Sequence, residues 1–153
     1  MVRLADLPPT KRESMQDYAC PSYGHAPSVA GAPLNQRTVT LVSTAGLVVR
    51  GQRAFTPRDT RYRALPHEVP DADLLMTHVS VNFDRSGWIR DPDVVLPRRR
   101  LSELAAEGVI GAVADSHYSF MGATEAVLLE PAAAKLAAEL HRNGVDTALL
   151  VPI

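Results

Sequence analysis

Two polar stretches of the sequence hold most of the residues that could take part in chemistry. The first is HVSVNFDRSGWIRDPD at 78–93, and the second is DSHYSFMG at 115–122. Each contains one histidine, whose imidazole can accept or release a proton near neutral pH. Carboxylates, amides and hydroxyls accompany both histidines. Such mixed polar groups are typical of residues that line a binding or catalytic site.

Both stretches also have structural interpretations. Asp84 and Asp91 can cap turns, and His78 can be hydrogen-bonded inside the fold. Residues 115–119 can form an elaborate N-terminal cap, or can help the following helix N-terminus to bind an anion. A hydrolase built on Ser119 and His117 is a further alternative, but the GxSxG motif of a nucleophile elbow is absent.

The remaining reactive residues give weaker signals. Cys20 is the single thiol, so an internal disulfide framework and a multi-cysteine zinc site are both excluded. A structural or incidental cysteine is the simpler interpretation, because no base or helix is placed beside it. His25, His67 and His141 lack the spacing of helical metal ligands, and no metal is expected. TAGLVVRG contains neither GxGxxG nor a Walker lysine.

The elements around the two stretches alternate between strand and helix. The sequence predicts strands at 38–43, 73–80, 109–114 and 147–152, with helices at 97–108 and 123–143. This order indicates an α/β fold with a mostly parallel sheet and flanking helices, Rossmann-like or flavodoxin-like in three layers. Ligands gather beyond the carboxyl ends of parallel strands. We therefore expect 78–93 and 115–122, which follow predicted strands, to lie at that edge.

The helices should bury their apolar faces, and the remaining segments should be irregular. Predicted apolar positions are Leu101, Leu104, Ala105, Ala133, Leu136, Ala137 and Leu140. Residues 8–19 can form a helical turn or two, with Thr10 as a candidate cap. Segment 44–72 lacks a helical period and should be extended or a hairpin. We divide the chain into an irregular arm, 1–37, and an α/β domain, 38–153.

Composition excludes several classes of function. The chain has 153 residues, 46% hydrophobic residues and a net charge of −1, which fits one globular domain. A net charge so close to zero gives no reason to expect a nucleic acid or an anionic membrane as partner. No apolar run approaches the roughly 20 residues that span a bilayer. The N-terminus lacks an apolar signal core, so a cytoplasmic location is expected.

Four blocks occur in a recognisable order. They are VTLVSTAGLVVRGQRAF, HVSVNFDRSGWIRDPDVVLPRRRLSELAAEGVIG, DSHYSFMGAT and GVDTALLVPI. Over 38–153 the chain resembles the glycine/sarcosine/betaine reductase selenoprotein B family, which includes the D-proline reductase selenoprotein subunit. The resemblance carries over six site-lining candidates, with His78 and His117 as the preferred proton donors or acceptors. These six are His78, Asn82, Asp84, His117, Tyr118 and Ser119.

The resemblance implies reductive chemistry at a selenocysteine or cysteine. A selenolate or thiolate attacks an activated carbon of a small amine or amino-acid-like substrate, and a C–N bond is cleaved. A pyruvoyl group on a partner reductase subunit activates the amine, and a thioredoxin-like donor regenerates the enzyme. The intact form would thus be an oxidoreductase, with a disulfide as acceptor when the reaction is written in reverse. The alternative is a non-catalytic binding or assembly subunit that retains the fold.

The chain departs from the family pattern after its final predicted strand. Family members carry the redox motif immediately after the strand that matches ALLVPI, whereas this sequence stops at Ile153. We expect the domain to be incomplete at this end, with a UGA selenocysteine codon read as a stop. On this interpretation the nucleophile lies beyond Ile153, and no cofactor belongs to the chain as given. We therefore expect the 153-residue protein to be inactive and less stable than the longer form.

Overall fold

The computed structural model describes residues 3–17, 22, 24, 29–81 and 83–153. Three residues considered above, Cys20, His25 and Asn82, lie outside these ranges. The described part contains four α-helices and seven strands, which we label in chain order. The helices are α1 (Pro9–Gln16), α2 (Ser86–Arg90), α3 (Arg98–Ala106) and α4 (Ala126–Arg142). The strands are β1 (Thr38–Ser43), β2 (Leu47–Val49), β3 (Arg63–Pro66), β4 (Leu74–Met76), β5 (Ala112–Val113), β6 (Ser116–Ser119) and β7 (Thr147–Val151).

The main sheet is built around β1, whose six residues include the β-branched run that predicted it. β1 pairs in parallel with β5 and β6 along one edge and with β7 along the other. β3 joins the outer edge of β6 in the antiparallel direction. The predicted α/β class with a mostly parallel sheet is therefore confirmed. Division of the chain into segments 1–37 and 38–153 stays a prediction.

A bulge separates β5 from β6 and changes the predicted strand positions. Thr38 lies opposite Ala112, but Val42 lies opposite Tyr118, so β5–β6 contains two more residues than β1 over this interval. The strand predicted at 109–114 is present only as β5, and the residues after it are not the helix cap that the sequence allowed. Residues 116–119 are themselves a strand of the main sheet, because tertiary partners satisfy their polar side chains.

The predicted strand at 73–80 is shorter and lies in another sheet. β4 covers only Leu74–Met76 and pairs antiparallel with β2, outside the main sheet. The expectation that His78 follows a parallel strand was therefore wrong. The apolar run of β4 signals a strand, but the choice of β2 as its partner depends on a contact between distant parts of the chain. Segment 44–72 is extended, as expected, and it contributes β2 and β3.

Side chains on the two faces of the main sheet pack into different cores. Tyr118 and Phe120 face α4, where they meet Leu136 and Leu140. The opposite face forms a larger core with β2, β4 and α3. Its fully buried members include Leu41, Leu47, Leu65 and Leu96. The elements therefore form layers on both sides of the sheet.

The predicted helices are confirmed, but parts of their apolar faces were wrong. Leu101, Leu136 and Leu140 are buried, whereas Leu104, Ala133 and Ala137 are exposed. Leu129 and Ala132 replace the two alanines in the contact of α4 with the sheet. α4 ends at Arg142, and Gly144 follows with a positive φ of 70°, as the Asn143-Gly144 signal predicts. Thr10 lies inside α1 and does not cap it, because the helix begins after Pro8.

β7 forms an edge of the main sheet. The apolar run at 148–151 is typical of a buried strand, but Leu149 is 47% exposed and Leu150 is 68% exposed. β7 pairs with β1 along one side only. No helix within the described residues is long and apolar enough to cross a membrane.

Candidate functional site

The carboxyl edge of the main sheet is where the ends of β1, β6 and β7 converge. Beyond β1, the Thr44 N–H donates to the carbonyl of Val151 at 3.2 Å. The Thr44 hydroxyl accepts the Ile153 N–H at 2.8 Å. The Gly122 N–H donates to the Thr44 carbonyl at 2.9 Å. A Cβ on Gly122 would lie 2.7 Å from that carbonyl oxygen and 3.1 Å from the Ile153 carbonyl oxygen, so only glycine fits here.

His78 lies at the same edge, although its strand is not part of the main sheet. The backbone after β4 crosses the turn that follows β1, where the Thr77 N–H donates to the Gly46 carbonyl at 2.9 Å. A Cβ on Gly46 would lie 3.0 Å from the His78 Cα. Because Gly46 also donates to the Phe120 carbonyl, His78 is tied to the ends of both β1 and β6.

The imidazole of His78 is buried and has one satisfied nitrogen. Its Nδ1 accepts the Ser80 N–H at 3.2 Å, so Nε2 carries the proton in the neutral ring. Nε2 is buried and makes no hydrogen bond to any residue that the structure describes. Burial, together with the nearby Arg85 charge, lowers the pKa of His78. His78 is therefore a neutral N–H donor beside the carboxyl edge.

Asp84 caps a turn, which is the structural interpretation that the sequence allowed for it. Its carboxylate accepts the Ser86 N–H at 2.8 Å and the Ser86 hydroxyl at 3.0 Å, at the start of α2. The backbone hydrogen bond is the main cause of its lowered pKa. Asp84 is exposed and makes its described contacts locally, so it supports a turn. Nothing can be said of Asn82, which lies outside the described residues.

His117 lies below the carboxyl edge, inside the sheet. Its Nδ1 accepts the Leu41 N–H at 3.1 Å, so an imidazole replaces a carbonyl in the ladder at the bulge. Its Nε2 lies 2.9 Å from Nδ1 of His67. Burial is the main cause that lowers the pKa of His117 to about 3, helped by His67 and Arg98. His117 is therefore neutral in the folded protein and has no exposed surface.

Tyr118 faces the other side of the sheet. Its hydroxyl donates to Glu139 at 3.3 Å, and the Tyr62 hydroxyl donates to the same carboxylate at 2.7 Å. The hydrogen bond to Glu139 raises the pKa of Tyr62 to about 12. Burial raises the pKa of Tyr118. Tyr118 and Glu139 line a pocket of about 450 Å³, which is also lined by Thr38 from the amino end of β1. Tyr118 therefore does not share a site with His78.

Ser119 is fully buried, and its hydroxyl oxygen accepts the Leu47 N–H at 2.8 Å. Both nitrogens of His117 have other partners. The hydrolase alternative therefore fails, because the serine is inaccessible and already holds β2 against β6. The interpretation of 115–119 as a helix cap is also wrong, since α4 follows Glu125 and has no side-chain cap.

The structure thus brings His78 to the carboxyl edge, near the end of β6 at Ser119, whereas His117 is enclosed within the sheet and Tyr118 faces α4. His67 was missed as a partner of His117. The antiparallel register of β3 with β6 places it there, and no local sequence signal gives that register. No group of three or more histidine, cysteine or acidic residues in the described ranges could hold a metal ion.

The structure is therefore an α/β domain in which the carboxyl ends of β1, β6 and β7 meet beside Gly122. The chain belongs to the glycine/sarcosine/betaine reductase selenoprotein B family, whose model matches residues 16–152. It is 28% identical over 120 residues to the D-proline reductase subunit gamma of Acetoanaerobium sticklandii, covering 76% of this chain and 49% of that protein. The chain thus spans about half the length of this curated relative. No solved structure matches the chain.

Proposed function

We propose that this chain is part of a reductase subunit that cleaves a C–N bond in a small amine or amino-acid-like substrate. The nucleophile is a selenocysteine or cysteine carried beyond Ile153. The observation that carries the proposal is the convergence at Thr44, Gly122 and Ile153, in a chain that belongs to this family. A residue placed just after β7 would enter the carboxyl edge, where α/β proteins bind ligands.

The chemistry needs an ionised nucleophile and an external source of two electrons. The selenolate or thiolate bonds to the substrate carbon, and the amine leaves with the electron pair of the C–N bond and takes up a proton. A thioredoxin-like dithiol then supplies two electrons, releases the carbon product and restores the nucleophile, while it becomes a disulfide. A pyruvoyl group on a partner subunit would supply the activation that makes the amine a better leaving group.

His78 is the residue of this chain best placed to assist. Its neutral Nε2–H can donate to an oxygen of the substrate or to the leaving group once the nucleophile's segment is in place. His117 is not proposed for this role, because both of its ring nitrogens already have partners inside the fold. Of the two histidines preferred from the sequence, His78 is therefore the one retained.

Two measurements test the proposal. In a longer protein that contains this domain, a selenocysteine or cysteine redox motif should follow β7, and its absence there overturns the proposal. The purified 153-residue protein, assayed with a dithiol donor against glycine, betaine and D-proline, should give no turnover. Thiol-dependent turnover by this protein would place the nucleophile within the chain, and Cys20 would then be the residue to substitute.

A non-catalytic assembly subunit is the second candidate function. The exposed Leu149 and Leu150 on an edge strand favour it, because such a strand offers both backbone groups and apolar side chains to another chain. A true stop codon after Ile153, together with a stably folded 153-residue protein, would support this candidate over the reductase.

A further inference from the structure

A hydrogen-bond chain with one fixed direction runs from the sheet to α3. Leu41 N–H donates to His117 Nδ1, so the His117 proton lies on Nε2 and is donated to His67 Nδ1. His67 must then carry its own proton on Nε2, which lies 3.1 Å from the Ser102 hydroxyl oxygen. That hydroxyl donates to the Arg98 carbonyl at 3.0 Å. The backbone N–H at one end and the carbonyl at the other prevent reversal of the chain.

Because the direction of these hydrogen bonds is fixed, the chain cannot accept an additional proton without losing one of its bonds. A second proton on His67 would sit on Nδ1 and face the Nε2–H of His117 across a separation of 2.9 Å. His117 cannot respond by moving its proton to Nδ1, because the Leu41 N–H already points at that nitrogen. Protonation of His67 therefore breaks the His67–His117 hydrogen bond.

His67 can receive that proton because its side chain is 18% exposed, whereas His117 is fully buried. His67 and Glu68 line two neighbouring pockets. One has a volume of about 220 Å³ and includes Ser102, and the other has a volume of about 440 Å³ and includes Asp115. The turn that carries His67 is therefore a common wall of both pockets.

Of the charged groups around His67, Glu68 would attract a protonated ring and Arg98 would repel it. Glu68 has a carboxylate oxygen 3.7 Å from Nε2 and is exposed, so it can pair with an imidazolium that turns outward. From α3, Arg98 donates to the His67 carbonyl at 2.5 Å and is itself paired with Asp71. The Arg98 charge opposes an imidazolium held in the inward position. Asp115, on the bulge, accepts the His67 N–H through its backbone carbonyl at 2.8 Å.

We infer that the His67–His117 hydrogen bond is an acid-sensitive latch between the turn after β3 and the interior of the main sheet. Uptake of one proton from solvent by His67 releases the latch, and the ring turns towards Glu68. The wall between the two pockets then opens, and the Nε2–H of His117 becomes a donor at the floor of the joined cleft. This inference concerns the opposite end of β6 from the convergence and does not depend on the proposed reductase activity.

The test is a pH titration of the ¹⁵N-labelled 153-residue protein, followed through the histidine ring nitrogens by NMR. Near pH 7.5, both His67 and His117 should be neutral with the proton on Nε2. On acidification His67 should gain a proton alone, while His117 stays neutral and its Nε2–H resonance shifts as its hydrogen bond is lost.

Two further measurements sharpen the result. In the H67F variant, the His117 resonance at neutral pH should match that of the acidified parent, since phenylalanine cannot accept a hydrogen bond from the His117 Nε2–H. Amide exchange at His67 and Val69, corrected for its intrinsic pH dependence, should rise by about tenfold on acidification, whereas exchange in α4 should not. The latch is overturned if His67 and His117 gain protons together, if the His117 Nε2–H resonance does not move, or if exchange in the turn is unchanged. The titration of the parent protein decides the matter even if H67F fails to fold.

Discussion

At the level of single residues, His117 accepts the Leu41 N–H and fills a gap that the bulge leaves in the β1–β6 ladder. A protonated ring could not accept this bond, and the buried site would not solvate its charge. The folded protein therefore keeps His117 neutral to about pH 3, whereas the unfolded chain binds a proton near pH 6.5.

His117 should make folding less favourable in acid. Because the unfolded state binds more protons between pH 6.5 and about 3, stability rises with pH across this window and is lost as pH falls through it. His117 alone should lower the free energy of unfolding by about 2 kcal/mol between pH 7 and pH 5. Urea titrations at several pH values measure this change.

The matched variant for this prediction is H117N, which keeps an acceptor near the position of Nδ1 but does not titrate. The difference in unfolding free energy between the parent and H117N should depend on pH with the predicted sign. Equal pH dependence in the parent and H117N would show that His117 is not the group responsible.

At the level of elements, neighbouring arginines at the start of α3 have different tasks. Arg98 is buried and donates to the His67 and Val69 carbonyls, at 2.5 and 2.7 Å, as well as pairing with Asp71. Arg99 is 53% exposed and pairs with Asp93 at 3.0 Å. The PRRR sequence therefore ties α3 to the turn after β3 through one arginine and to the 91–93 turn through the next.

We expect R98A to lower the free energy of unfolding by about 2 kcal/mol, because two carbonyl groups lose their donor inside the fold. The Asp71 partner is partly exposed and adds little to this cost. R99A is the matched control and should cost less than about 1 kcal/mol, as is usual for exposed ion pairs. Thermal or urea unfolding of both variants measures the difference, and similar losses for the two would contradict the assignment.

The close packing at the carboxyl ends of β1, β6 and β7 leads to a second prediction about the secondary-structure elements. G122A places a Cβ against the carbonyl oxygens of Thr44 and Ile153, neither of which can rotate away. The end of β7 must then move, at an expected cost of about 1–3 kcal/mol in unfolding free energy. In the control G87A, the added Cβ would lie 3.6 Å from Val94, an ordinary contact, within helix α2. G87A should therefore be neutral or slightly stabilising, and amide exchange in 147–151 should increase in G122A alone.

The elements that the sequence predicted are those with strong local signals. β1 occupies the predicted positions because Thr38–Ser43 is β-branched and apolar, and α3 and α4 follow a clear helical period with Gly108 and Gly144 beyond their ends. β6 was missed because its Ser-His-Tyr-Ser sequence resembles a polar loop. Its polar groups are satisfied by residues 50–77 positions away, such as His67, Leu47 and Thr40. The site candidates could be predicted as residue types, but their separation onto different faces follows from pairings that no local pattern encodes.

At the level of the whole molecule, the chain has a well-buried centre and a poorly covered edge. β1 is enclosed by neighbours on both sides, with Leu41 completely buried. One position further out, β7 pairs with β1 only and leaves its leucines exposed. Both proposed functions place further polypeptide near this edge, either the segment that carries the nucleophile or another subunit.

Because the centre is buried and the edge is exposed, substitutions in β1 and β7 should change the free energy of unfolding by very different amounts. In the 153-residue protein, L150K should change the free energy of unfolding by less than about 0.5 kcal/mol, because the lysine can remain in solvent. L41A, in the neighbouring strand, should cost about 2–5 kcal/mol, since it removes fully buried methyl groups and leaves a cavity. L150K should also lower any self-association seen by analytical ultracentrifugation, because a charge on an edge strand opposes further pairing. A loss of stability in L150K close to that in L41A would mean that β7 is covered in solution and that its exposed face is already an interface.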